Sequence, residues 1–145
     1  MQQKWELGQK CSRAQIAARL GGSEISYLPM VHGAVVCGCF TYDDNPELPS
    51  IILPGTRPDI EAEAAEFSKG YGVPVFVKLA PNEWVHIGVY RVVRRSVDPT
   101  EIENHQGRSR RKRIGRDRIS QILYLEPVGE HFDLKTMNKI TDTQE

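Results

Sequence analysis

The sequence predicts an α+β domain in which a curved antiparallel or mixed sheet, or a small β-barrel, carries two short helices. Three observations lead there. Short apolar, β-branched runs are separated by turns rich in Gly, Pro, Asp and Asn. Two segments show helical rather than alternating periodicity, with capping chemistry at their starts. The two kinds of element follow one another irregularly, with no internal repeat. At 145 residues the chain is long enough for one domain with a real core. We expect that domain over residues 1–128 and a loosely ordered tail over 129–145, where little is apolar.

Ser12-Arg13-Ala14-Gln15 matches a capping box, and Ile16, Ala17 and Leu20 form an apolar stripe behind it. The pattern predicts a helix over 13–20, stopped at Gly21-Gly22. A strand is expected over 31–40, bent or bulged at Gly33 and Gly38. Asp43-Asp44-Asn45-Pro46 has turn chemistry, and Ile51-Ile52-Leu53 reads as a short buried strand closed by Pro54-Gly55. Thr56-Arg57-Pro58-Asp59 opens the second helix: Pro58 suits its first position, and Asp59, Glu61 and Glu63 favour the positive end of its dipole. Ile60, Ala64 and Phe67 give its buried face, and Gly70-Tyr71-Gly72 ends it. Strands over 73–79 and 84–93 form a hairpin about Pro81-Asn82. Strict alternation along the second puts Val85, Ile87, Val89, Arg91 and Val93 on one face, and Trp84, His86, Gly88, Tyr90 and Val92 on the other. Asp98-Pro99-Thr100-Glu101 starts a short helical turn, and 119–125 is the last strand, ended by Pro127.

Charge is distributed unevenly. The chain holds 19 basic and 19 acidic residues, yet seven of the eleven residues from 108 to 118 are Arg108, Arg110, Arg111, Lys112, Arg113, Arg116 and Arg118, with Asp117 the single acid. The remainder keeps twelve basic residues against eighteen acidic ones. A cationic segment on an anionic body can displace counterions from a polyphosphate, while the body limits unspecific adhesion. Nucleic acid is the expected partner, and Arg91, Arg94 and Arg95 on the long strand extend the same surface. A solvated loop, or a protein-interaction module docking on an acidic partner, accounts for the same run of charge.

Trp84, His86 and Tyr90 line one strand face around the missing side chain of Gly88. Such a face either fills a core or offers stacking surface to an unpaired base. Tyr42 and Asp43 follow the first long strand, where Tyr could stack and Asp accept from a base amino group, although both also suit a turn. Together Tyr42, Asp43, Trp84, His86 and Tyr90 are the candidate base pocket. The stretch Trp84-Val85-His86-Ile87-Gly88-Val89-Tyr90-Arg91-Val92, preceded by Pro74-Val75-Phe76-Val77, resembles the W-x-x-x-G-x-Y-x-V hairpin of SRA (YDG) domains. Leu53-Pro54-Gly55-Thr56-Arg57-Pro58 is similar in character to small DNA-modification and restriction accessory domains. The resemblance covers about a quarter of the chain. It implies a PUA-like β-barrel that reads modified bases, and DNA rather than RNA as partner. The glycine-rich G-D-x-R-x-G-G loop of that family is absent here, so only Trp84, Gly88 and Tyr90 are matched.

Catalysis is not expected. A metal-dependent nuclease would draw on Pro58-Asp59 and Lys78, but Phe76 stands where an acid is required, and Asp59 has its own reason to open a helix. No phosphate-cradling glycine loop occurs. Cys37-x-Cys39 lacks the spacing and further ligands of a zinc site, so neither metal nor cofactor is predicted, and Cys11, Cys37 and Cys39 are expected as buried free thiols. The odd cysteine count and the polar opening residues predict a reduced, cytoplasmic setting. No run of about eighteen apolar residues exists, so no membrane span is expected. The second functional reading is an accessory module of a defence or mobile-element system, docking through the basic segment.

Overall fold

The longest strand organises the sheet. In the computed structural model, which describes residues 5–108 and 118–135, β7 runs over Glu83–Ser96 and is paired along both edges. On one edge β6 (Val73–Ala80) forms the antiparallel hairpin expected from sequence, turning at Asn82 with φ 56°. On the other edge, β8 (Ile122–His131) covers the C-terminal half of β7, and β1 (Lys10–Cys11) pairs with Val85 and Trp84 where β8 has ended. β4 (Gly38–Phe40) lies parallel beside β6, and β5 (Ile51–Ile52) lies antiparallel beside β8. The order is β4-β6-β7-β8-β5, strongly curled into a half-barrel. This is the α+β class with a curved mixed sheet that the sequence predicts.

Helix α1 (Arg13–Leu20) has the full capping box: Ser12 Oγ accepts from the Gln15 amide at 3.1 Å, and Gln15 Oε1 accepts from the Ser12 amide at 2.8 Å. Helix α2 (Pro58–Phe67) buries Ala64 and Phe67. They join Phe40, Val75, Val77, Val85, Ile87 and Tyr90 in the main core. Phe76 and Trp84 are one residue out of phase with Val75, Val77, Val85 and Ile87. They therefore face the other side of the sheet, where Cys11, Ile16, Cys37 and Cys39 close a second core.

Three expectations are corrected. The single strand over 31–40 is a hairpin of β2 (Met30–Val31) and β3 (Ala34–Val35), followed by β4. His32 (φ 51°) and Gly33 (φ 80°) occupy the left-handed region at successive positions, which reverses the chain within two residues. The helical turn at Asp98 is a ten-residue third helix, α3 (Pro99–Arg108). Asp98 Oδ1 accepts from the Thr100 amide at 2.8 Å, while Ile102 alone supplies its contact with the small core of Leu53, Ile119 and Ile122. One apolar anchor is too little to register as a periodic stripe. The last strand continues past Pro127 to His131, and Leu134 is buried in the main core, so the folded chain passes the boundary expected at residue 128. The rest of the expected tail, 136–145, lies outside the described residues.

Candidate nucleic-acid interface

Gly88 decides which aromatic side chains share a face. Its φ is +122°, and the β7–β8 register shifts between Gly88 and Tyr90. A Cβ there would meet the Glu130 carbonyl oxygen at 3.0 Å and His131 Cα at 3.3 Å. The irregularity exchanges the two faces of the strand. Before it, Val85 and Ile87 enter the main core and Trp84 turns to the second core; after it, Tyr90 and Val92 join the main core. The continuous aromatic face expected from strict alternation is therefore divided.

The candidate pocket residues separate accordingly. Tyr90 is 1% exposed, with its hydroxyl buried and unpartnered. His86 is 4% exposed; its Nδ1 lies 3.1 Å from the Glu6 carbonyl oxygen, and its ring packs against Phe76 at 5.2 Å between centroids. Burial lowers the His86 pKa and so favours the uncharged ring. Trp84 is buried too, with the Arg13 guanidinium 5.3 Å from its ring centroid. Tyr42 packs at the edge of the main core, and Asp43 is exposed on the following turn.

Trp84 nevertheless borders a groove of about 880 Å³. Thr41 and Asp44 form one wall, Pro54, Gly55, Arg57 and Asp59 another, and Lys78 and Asn82 come from the hairpin. Arg57 is spent on Asp59, at 3.2 and 2.8 Å, and Glu63 accepts from Ser26 Oγ at 2.7 Å. Burial raises the Glu63 pKa. Arg13 donates to the Ser23 and Ser26 carbonyls at 2.9 and 2.8 Å, which holds the 23–27 loop over the groove. Sequence reasoning left Arg13 out and weighed Lys78 only as a catalytic group. The available signal was Lys78 itself, the one charged residue in an otherwise apolar strand.

The arginines fall elsewhere. Arg91, Arg94 and Arg95 are exposed on β7, and Arg118 is exposed just before β8. Arg91 lies 3.9 Å from Glu126, Arg94 2.7 Å from Glu101 and Arg118 3.4 Å from Glu103. Arg95 donates to the neutral Gln121 at 2.6 Å. Arg108 closes α3, while Arg110, Arg111, Lys112, Arg113 and Arg116 lie outside the described residues. Both flanks of that segment are anchored. Gln106 Oε1 accepts from the Ile119 amide at 2.8 Å, and the Ser120 amide donates to the Pro54 carbonyl at 2.9 Å. Pro54 also lines the groove, so the residues that follow the basic segment bond to one of the groove's lining residues.

Residues 10–140 match the family described as a domain of unknown function (DUF6697), and the chain belongs to that family. The matched span begins at β1 and passes the end of β8, so it takes in the whole sheet. No curated protein matches the chain, and no solved structure does. No helix among the described residues is long and apolar enough to cross a membrane.

Proposed function

We propose that this chain is a non-catalytic nucleic-acid-binding domain, with DNA the preferred partner, in which residues 108–118 grip phosphates. The observation that carries the reading is the gathering of seven cations into eleven residues of a chain whose remainder is anionic. It is supported by the anchoring of the residues on either side of that segment, Gln106 and Ser120, and by the exposure of Arg91, Arg94 and Arg95 on the strand paired with β8. The groove beside Pro54, edged by Trp84 and Lys78, is where an unpaired base or modified base would be read; the fully buried Tyr90 and His86 frame the sheet instead.

Titration of labelled single- and double-stranded DNA and RNA at about 50 and about 200 mM salt tests this. For duplex DNA, about five phosphate contacts give a slope of log K against log salt near −4 to −5. Reversing the charge of Arg110, Arg111 and Arg113 weakens binding on all sequences alike. Absence of binding to every nucleic acid at the lower salt overturns the proposal.

A further inference from the structure

We propose that the groove beside Pro54 is a single-nucleotide subsite in which Lys78 takes the phosphate and Glu63 reads an exocyclic amino group, so that cytosine or adenine is accepted and thymine rejected. This deepens the reading above and rests on it for the choice of a nucleotide over other ligands that carry both an anion and an amino group. Two opposite charges share the groove and are not joined. Lys78 enters from β6 and Glu63 from α2, and no ion pair links them. Lys78 is the cross-strand partner of Trp84, so its ammonium stands on the sheet face that carries the indole. The groove's other two cations are committed, Arg57 to Asp59 and Arg13 to the Ser23 and Ser26 carbonyls. Lys78 is exposed and has neither ion pair nor hydrogen bond among the described residues.

Glu63 is half-buried, and only one of its oxygens is used. Oε2 accepts from Ser26 Oγ at 2.7 Å, and Ser26 Oγ in turn accepts from the Leu28 amide at 3.3 Å. Oε1 has no donor among the described residues. A half-buried carboxylate oxygen without a donor carries a desolvation cost, which an amino group brought by the ligand offsets. Cytosine and adenine present an amino group where thymine and uracil present O4. O4 at the same place would set one acceptor against another.

The space and its surroundings suit one unpaired nucleotide. About 880 Å³ lies within the range of pockets that hold small organic ligands. Trp84 adds an aromatic surface, and Asn82 an amide, at the hairpin end of the groove. The Ser120 amide, two residues beyond Arg118, donates to the Pro54 carbonyl at 2.9 Å. A strand held by the cations before Ser120 therefore passes close to the groove.

The full chain is titrated with the monophosphates of deoxycytidine, deoxyadenosine and thymidine to about 10 mM, which reveals even a millimolar site. The indole N–H signals are followed by NMR. Trp5 and Trp84 are the two tryptophans, Trp5 does not line the groove, and Trp5→Phe assigns the signals. The expected result is movement of the Trp84 signal alone. The deoxycytidine and deoxyadenosine monophosphates should bind about ten- to a hundredfold more tightly than thymidine monophosphate, as one charge-assisted hydrogen bond provides. Glu63→Gln still accepts from Ser26 but can also donate to O4, and should bring the three within about twofold. Lys78→Gln should weaken all three and leave deoxycytidine, which has no phosphate, unchanged. A Trp84 signal that ignores every mononucleotide, that responds equally to thymidine monophosphate, or that inorganic phosphate alone moves as far overturns the proposal. The same sample is then given single-stranded DNA. Binding of DNA with no response to mononucleotides strikes the subsite and spares the phosphate grip; the stated preference without DNA binding supports the subsite and strikes the grip. The wild-type preference decides even if a substituted chain fails to fold.

Discussion

Arg94 Nη2 lies 2.7 Å from Glu101 Oε1, and this one pair ties the long strand to the helix that leads into the basic segment. The second Glu101 oxygen accepts from the Tyr124 hydroxyl at 2.7 Å, and the Arg94 guanidinium lies 4.5 Å from the Tyr124 ring centroid. One carboxylate thus joins β7, α3 and β8. Arg94 serves the fold before it serves any ligand.

The first prediction concerns acid. Hydrogen bonds from Arg94 and then Tyr124 hold the Glu101 carboxyl at about 2, against 4.5 ordinarily. As pH falls, the unfolded chain takes up this proton first. The stabilisation is therefore complete above about pH 4.5 and is lost on descending towards pH 2. Because the pair is partly open to solvent, the effect is small. Urea midpoints of wild type and Glu101→Gln should converge across that window, and parallel curves would refute the pairing.

A second carboxylate restrains the proposed interface more directly. Arg118 and Glu103 are 3.4 Å apart, both well exposed. If Arg118 meets phosphate, that ion pair competes with the ligand. Glu103→Gln should raise duplex affinity about two- to fivefold at low salt and steepen the salt slope by at most about 0.9. In an Arg118→Ala background the same change should have a smaller effect, so equal gains in both backgrounds would remove Arg118 from the interface.

How far the sequence led depends on the element. Helices α1 and α2 and the 73–93 hairpin were legible, because a capping box, a proline at the first helical turn and alternating apolar residues act locally. The third helix was not, since Ile102 is its apolar anchor and its polar support comes from Arg94 and Tyr124 on Glu101 and from the Ile119 amide on Gln106, partners outside the helix that no local pattern reveals. The division of Trp84 and His86 from Tyr90 was hidden for a related reason. Gly88 is visible in the sequence, but the bulge that makes it exchange faces depends on where β8 ends. The groove was out of reach as well, because it draws on segments from Arg13 to Trp84 that only the tertiary fold brings together.

Gly88 should tolerate no side chain. At φ +122° even alanine is strained, and its Cβ would press on the Glu130 carbonyl. Gly88→Ala should cost roughly 2–4 kcal/mol of stability. Urea unfolding measures this, and a loss below about 1 kcal/mol would mean that β7 passes this point without the irregularity.

His86 should make stability fall as the solution is acidified. Its Nδ1 contacts the Glu6 carbonyl, its Nε2 is buried without a partner, and burial lowers its pKa from 6.5. Below pH 6.5 the unfolded chain gains a proton that the folded chain refuses, so each step down in pH favours unfolding until the lowered folded pKa is reached. His86→Phe keeps a flat ring beside Phe76 and removes the titration. Its urea midpoint should vary less than that of wild type between about pH 7.5 and about pH 5. An unchanged pH dependence would assign the effect to another group.

Tyr90 separates packing from recognition. Its ring lies in the main core and its hydroxyl has no partner, so Tyr90→Phe removes a desolvated polar atom and leaves the shape intact. Stability should stay level or rise by about 1 kcal/mol. Tyr90→Ala empties the same space and should cost about 3–5 kcal/mol, as large aromatic deletions do. Base preference, measured on the same panel of nucleic acids, should be identical in wild type and Tyr90→Phe, because a buried oxygen cannot touch a base in the groove. A changed preference in the folded Phe variant would mean that the core opens on binding and that Tyr90 reads the ligand after all.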